Sequence, residues 1–116
     1  MSWTFDIPGQ PPTVNHLYVR VRGRWDRMTK APGVADYQDL VVLLARQARP
    51  SGYRPDGQIR VTYSFYLKRD ADCDNLIKAI QDSLAIALDI NDKMFLPCTL
   101  HKSTGHLLPH TIITVE

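Results

Sequence analysis

Apolar side chains alternate without a break through Ile59, Val61, Tyr63, Phe65 and Leu67, the period-two pattern of a strand with one buried face. Shortly afterwards the period changes. Leu76, Ile80, Leu84 and Ala87 recur on one side of a helix, with Asn75, Lys78 and Asp82 on another. Between the two patterns lies Arg69-Asp70-Ala71-Asp72-Cys73-Asp74, which places Asp72 and Asp74 at the end of a strand and the start of a helix. Positions i and i+2 of an extended segment point the same way, so both carboxylates are expected on one side.

Carboxylates crowded in this way are costly. Two of them about 4 Å apart repel by roughly 1 kcal/mol in water and about 4 kcal/mol at an effective dielectric near 20. Either they splay into solvent or a divalent cation sits among them, and oxygen-only ligands favour Mg²⁺, with Mn²⁺ as a substitute. Simpler uses of the same residues stand beside this one. Asp74 suits the N-cap of the helix, worth about 1 kcal/mol, and Lys78 with Asp82 suits an ordinary i,i+4 surface pair worth a few tenths. A calcium loop is excluded: Asp70, Asp72 and Asp74 match its positions 1, 3 and 5, but Asn75 stands where Gly is required and Gln81 where Glu is.

The chain has 116 residues, the size of a single domain spanning 1–116. No run is long and apolar enough to cross a bilayer and no signal peptide opens the chain, so a cytoplasmic protein is expected. Cys73 and Cys98 do not pattern with histidines as metal ligands and are read as free thiols. Net charge is only +2, but three acids neutralised by a metal would leave nine of the twelve against fourteen basic side chains. That balance is adequate for phosphate contacts.

Trp3 to Ile7 reads as a strand and Pro8 to Pro12 as an extended loop. Leu17 to Met28 reads as a hairpin turning near Arg22-Gly23. Arg20, Arg22 and Arg24 are spaced two apart along it, and Arg27 and Lys30 extend the basic set beside Trp25. Such a ribbon suits either a solvated face or a surface that tracks phosphates. A first helix is expected from about Pro32, with a core stripe of Val34, Tyr37, Val41, Leu44 and Ala48, ending at Arg49-Pro50-Ser51-Gly52. Met94 to His101 and Leu108 to Val115 read as the last two strands, with Pro97 favouring an edge. His101, Lys102, His106 and His110 are too scattered to be read as a site. Strands and helices do not alternate as in a doubly wound sheet. The expected fold is therefore α+β: a mixed or antiparallel sheet of four to six strands with two helices on one face.

Asp72-x-Asp74-Asn75-x-x-Lys78-x-x-x-Asp82-Ser83-Leu84, followed by Asn91-Asp92, resembles the RusA family of Holliday junction resolving endonucleases. Pro8-Gly9-Gln10-Pro11-Pro12-Thr13-Val14-Asn15-His16-Leu17-Tyr18 is similar to that family's opening segment, and Lys30 to Tyr37 to its first helix. The resemblance implies Mg²⁺-dependent hydrolysis of DNA phosphodiesters, with Asp72, Asp74 and Asp92 as metal ligands and Lys78 as a catalytic cation. Asp70, Asn75 and Asp82 support the site, Asp82 by orienting Lys78. Asn15 falls where the family keeps an asparagine near the active site, and a turn role for it stands equally. Lys68 and Arg69 arrive beside the acids and join Arg20, Arg22, Arg24, Arg27 and Lys30 as candidate DNA contacts.

The resemblance also implies a homodimer acting on four-way junction DNA, whose twofold symmetry matches two equivalent sites. It implies no membrane partner and no small-molecule cofactor, and a phage origin is plausible. Two departures stand out: Asn91, where family members commonly have an acid, and the additional Asp70. The Asn91 change keeps open a junction-binding protein without catalysis, and a less selective nuclease of flaps or forks stands as a further alternative.

Overall fold

The computed structural model describes residues 2–13, 18–21, 27–30, 33–55, 57–95 and 98–116, and of residues 18–21, 27–30, 73–75 and 92 it describes the backbone only. In chain order the elements are β1 (Trp3–Pro8), β2 (Tyr18–Val21), β3 (Arg27–Lys30), α1 (Val34–Ala48), β4 (Val61–Tyr66), α2 (Cys73–Leu88), a 3-10 turn (Asp92–Met94), β5 (Thr99–Ser103) and β6 (His110–Val115). Four strands form one mixed sheet in the order β1-β6-β4-β5, and β2 and β3 form a separate antiparallel pair. The architecture is α+β with two helices, as expected.

Register explains the core. Val115 lies between Trp3 and Val61, Ile113 between Phe5 and Tyr63, and Thr111 between Ile7 and Phe65. All nine side chains are buried. Because side chains alternate across a strand, a single parity from each strand builds one continuous face. Val41 and Ala45 of α1 and Leu76, Ile80, Leu84, Ala87 and Leu88 of α2 join the same core, so both helices cover that one face. Burying one such aliphatic or aromatic side chain stabilises by roughly 1.5–3 kcal/mol. The helices also meet each other, Val34 against Ala79. Ser83 is buried among them, and its Oγ donates to the Ala79 carbonyl at 2.8 Å.

The alternating run behaves as its pattern requires: Ile59, Val61, Tyr63, Phe65 and Leu67 are all buried. Several boundaries differ from expectation. β1 runs through Pro8, which the missing N–H allows because β1 is an edge strand. Helix α1 begins at Val34, after Gly33 at φ 83°, a left-handed conformation open to glycine without steric cost. Met94, Phe95 and Cys98 are not part of a strand. Asn91 Oδ1 accepts the Lys93 N–H at 2.9 Å and shapes the 3-10 turn, Phe95 makes an isolated bridge to Ile59, and β5 starts only at Thr99. Likewise β6 starts at His110 rather than Leu108, because Pro109 has no N–H for the ladder. Leu107 and Leu108 are left 87% and 85% exposed.

The hairpin expected from Leu17 to Met28 appears as β2 and β3, with Tyr18 opposite Lys30, Arg20 opposite Met28 and Val21 opposite Arg27. Asn15, His16, Arg22, Arg24, Trp25, Pro32 and Pro97 lie outside the described residues, as do the side chains of Arg20, Arg27 and Lys30. No helix of the described residues is long and apolar enough to cross a membrane. Cys98 is a free thiol.

Candidate active site

β4 runs through the core to Tyr66, and the chain then passes through the buried Leu67 and on through Lys68, Arg69, Asp70 and Ala71 to α2. Asp72 is the N-cap, with φ −66° and ψ 133°, and its side chain makes no capping hydrogen bond. The expected cap was Asp74. Asp74 is instead already in the first turn, so the extended i,i+2 geometry that was to align the two carboxylates ends at Asp72. The backbone basis of that expectation therefore stops at Asp72, because the helix starts before Asp74 rather than at it; the Asp74 side chain lies outside the described residues. Both acids do sit at the positive end of the helix dipole, worth about 0.3–1 kcal/mol for an exposed carboxylate.

The connection is held from two sides. Leu67 N–H donates to the Ser103 carbonyl at 2.8 Å, and the Leu67 carbonyl accepts from His106 N–H at 3.0 Å. Gln10 Oε1 accepts the Lys68 N–H at 2.9 Å, and Gln10 Nε2 donates to the Arg69 carbonyl at 3.1 Å. Lys102 Nζ lies 2.8 Å from Asp70 Oδ1 and donates to the Ala71 carbonyl at 3.1 Å. The Lys102 hydrogen bond and charge hold the Asp70 carboxyl below the usual carboxylate range. The side chains of Lys68 and Arg69 themselves are exposed.

Further along α2, Lys78 Nζ lies 3.2 Å from Asp82 Oδ1, the two side chains 53% and 35% exposed. Lys78 follows Asp74 by one helical turn, so an ammonium stands along the helix from the acidic end.

Asp92 lies elsewhere. α2 has 16 residues and is therefore about 24 Å long, and Asp92 follows its far end. Ile59 N–H donates to the Met94 carbonyl at 2.9 Å, which sets the 3-10 turn beside the beginning of β4, whereas Asp72 follows the end of β4. Parallel pairing of β4 with β5 fixes this polarity. Oxygens on one Mg²⁺ sit about 2.1 Å from it, a span far too short to join Asp72 and Asp92 of the same chain.

Among the described residues no three potential metal ligands come together; the side chains of Asp74, Asn75 and Asp92 lie outside them. What the head of α2 offers is an exposed Asp72 carboxylate with no capping bond, and Asp74 in the first turn. An oxygen donor set of this kind fits a hard divalent cation.

Gln10 and Lys102 were not among the residues the sequence pointed to. Lys102 carried one readable signal: it shares parity with Leu100 on the core-facing side of β5, a charge where an apolar residue is usual. Two of the scattered histidines also gather. Tyr66 stacks on His110 at 4.6 Å and meets His106 edge-on at 5.3 Å, and His106 Nε2 is 2.8 Å from Ser103 Oγ.

A search of curated proteins returns no match. The profile of the family described as Endodeoxyribonuclease RusA matches residues 8–116, from the proline-rich segment through Gln10, the acidic head of α2 and the last strand. A match over nearly the entire chain, with its acids at a strand-to-helix junction, makes this protein a member of the RusA endodeoxyribonuclease family.

Proposed function

We propose that this protein is a divalent-metal-dependent endonuclease of 1–116 as one domain, which resolves Holliday junctions by paired, symmetric nicks as a cytoplasmic homodimer. Nucleases of this family act on branched DNA junctions and generally need a divalent metal. The observation that carries the reading is the placement of Asp72 and Asp74 at the head of α2, with Lys78 one turn further along.

Asp72 and Asp74 would hold Mg²⁺ or Mn²⁺ at the helix start. Bound there, the ion supplies a polarised scissile phosphate and a water of lowered pKa. Lys78, held by Asp82, stabilises charge on the leaving oxygen. Lys68 and Arg69 face the phosphate backbone near the cut, and Asn15, Arg20, Arg22, Arg24, Arg27 and Lys30 track the arms of the junction. Asn75 and Asp70 support the acidic head.

The separation of Asp92 from Asp72 gives the dimer a chemical task. A helix about 24 Å long keeps Asp92 out of its own chain's site, so as a third ligand it serves the site of the partner subunit. Each site then needs both chains, and cutting is confined to the assembled dimer. Asn91 spends its side chain on the turn, a bond an aspartate would make equally, so its change leaves the turn intact.

A synthetic four-way junction incubated with and without Mg²⁺ tests the proposal. Symmetric nicks that vanish with chelator are expected. Binding without cutting at saturating Mg²⁺ or Mn²⁺ would leave a junction-binding protein, and equal cutting of flaps or forks would leave a less selective nuclease.

A further inference from the structure

Residues 67–71 form no helix or strand, yet each is tied to a part of the chain at least 31 positions away. Such a connection is over-determined for a loop whose side chains at Lys68, Arg69 and Asp70 are exposed. The ties come from two sides and end one residue before Asp72.

Gln10 supplies the first. β6 begins at His110, opposite Tyr66, so among the described residues no strand lies beside Lys68 and Arg69 on that side. The Gln10 amide holds this stretch instead, accepting from the Lys68 N–H and donating to the Arg69 carbonyl, so one side chain ties the backbone of two successive residues. Lys102 supplies the second from β5. Its side chain is 31% exposed against 71% for Asp70, and its ammonium holds a carboxylate and a backbone carbonyl together.

Stability does not account for this. An ion pair as exposed as Lys102 with Asp70 contributes about 0–1 kcal/mol, and a leucine at that inward position of β5 would bury apolar surface instead. What the ammonium does that an apolar side chain cannot is hold the backbone at Ala71. We infer that Lys102 and Gln10 are positioning residues that fix the carboxylate of Asp72 against the first turn of α2. Asp70, the acid additional to the family pattern, then has a task as the anchor of Lys102. The inference rests on the reading of Asp72 as a metal ligand.

Mn²⁺ binding to the DNA-free protein, measured by calorimetry, tests it, alongside thermal melting and junction affinity in Ca²⁺. Lys102→Met and Gln10→Ala should each weaken Mn²⁺ binding, by about 10- to 100-fold for Lys102→Met, the range seen when supports of metal ligands are removed. Junction affinity and melting temperature should stay close to wild type, and Lys102→Arg should recover most of the loss. Mn²⁺ binding unchanged in both variants overturns the inference, as does a loss that merely follows a fall in melting temperature. Weakened junction affinity with intact Mn²⁺ binding would instead make Lys102 a phosphate contact and also overturns it. Asp72→Asn separates this inference from its premise: if that variant loses Mn²⁺ and Lys102→Met does not, only the positioning role falls. If Asp72→Asn binds Mn²⁺ like wild type, the ligand assignment falls first.

Discussion

Asp72 precedes the first residue of α2 and Asp92 follows its last by four, so the 16 residues of that helix stand between them. The polarity is locked at both ends: Ile59 bonds the 3-10 turn through Met94, and Leu67 bonds Ser103. Two acids that the resemblance groups together are therefore distant in one chain, and the twofold assembly proposed above would reconcile them.

Mixed dimers test that arrangement. Asp72→Asn and Asp92→Asn homodimers should each fail to cut. Mixed and reassembled, the two chains form a heterodimer with one site carrying both substitutions and one carrying neither. Nicking of a single strand per junction should return to the mixture. If each chain held its own complete site, no activity would return, and a gel of end-labelled strands distinguishes the two results.

Asp74→Asn should leave junction affinity and folding intact while cleavage falls by about 100-fold or more, since a metal contributes several kcal/mol to the transition state. The asparagine keeps the shape and removes the ligand charge. Retained cutting at saturating Mg²⁺ would remove Asp74 from the ligand set.

Lys78→Ala should slow cleavage by about 10²-fold if the ammonium stabilises the leaving oxygen, with little change in junction affinity. Its exposed pair with Asp82 contributes at most about 0.5 kcal/mol, so denaturant midpoints should barely move. A defect confined to affinity would recast Lys78 as a residue that positions phosphate.

The basic hairpin is tested by salt. Replacing Arg20, Arg22 and Arg24 with glutamine should flatten the dependence of log affinity on log salt by about 0.9 for each phosphate no longer neutralised. An unchanged slope, measured by fluorescence anisotropy on a labelled junction, would leave these arginines as a solvated face.

Ile113 lies at 0% exposure between Phe5 and Tyr63. Ile113→Ala should cost about 2–5 kcal/mol through reduced burial and the cavity left behind, read as a lower urea midpoint at unchanged slope.

Much of the architecture was legible because it is local. The alternation from Ile59 to Leu67 and the helical spacing from Leu76 to Ala87 each follow from the period of one element, and they place Asp72 and Asp74 at their junction without further information. Element ends were harder. Leu108 is apolar enough to read as strand, but Pro109 cannot join a ladder and leaves it in solvent. Met94 and Phe95 read as strand too, until a turn shaped by Asn91 takes the first and a single bridge the second.

By itself, then, the amino-acid order settled the kind of elements, the face each one buries and the acidic junction between β4 and α2, because these depend on side-chain periodicity over a few residues. Only the tertiary structure decided that Gln10 and Lys102 grip the approach to Asp72, and that Asp92 lies at the other end of the helix. Those relationships join residues tens of positions apart, and they are set by strand pairing and by which way the chain returns after Ile90. No local pattern carries that information, since hydrogen bonds between distant segments form only when the core has brought the segments together.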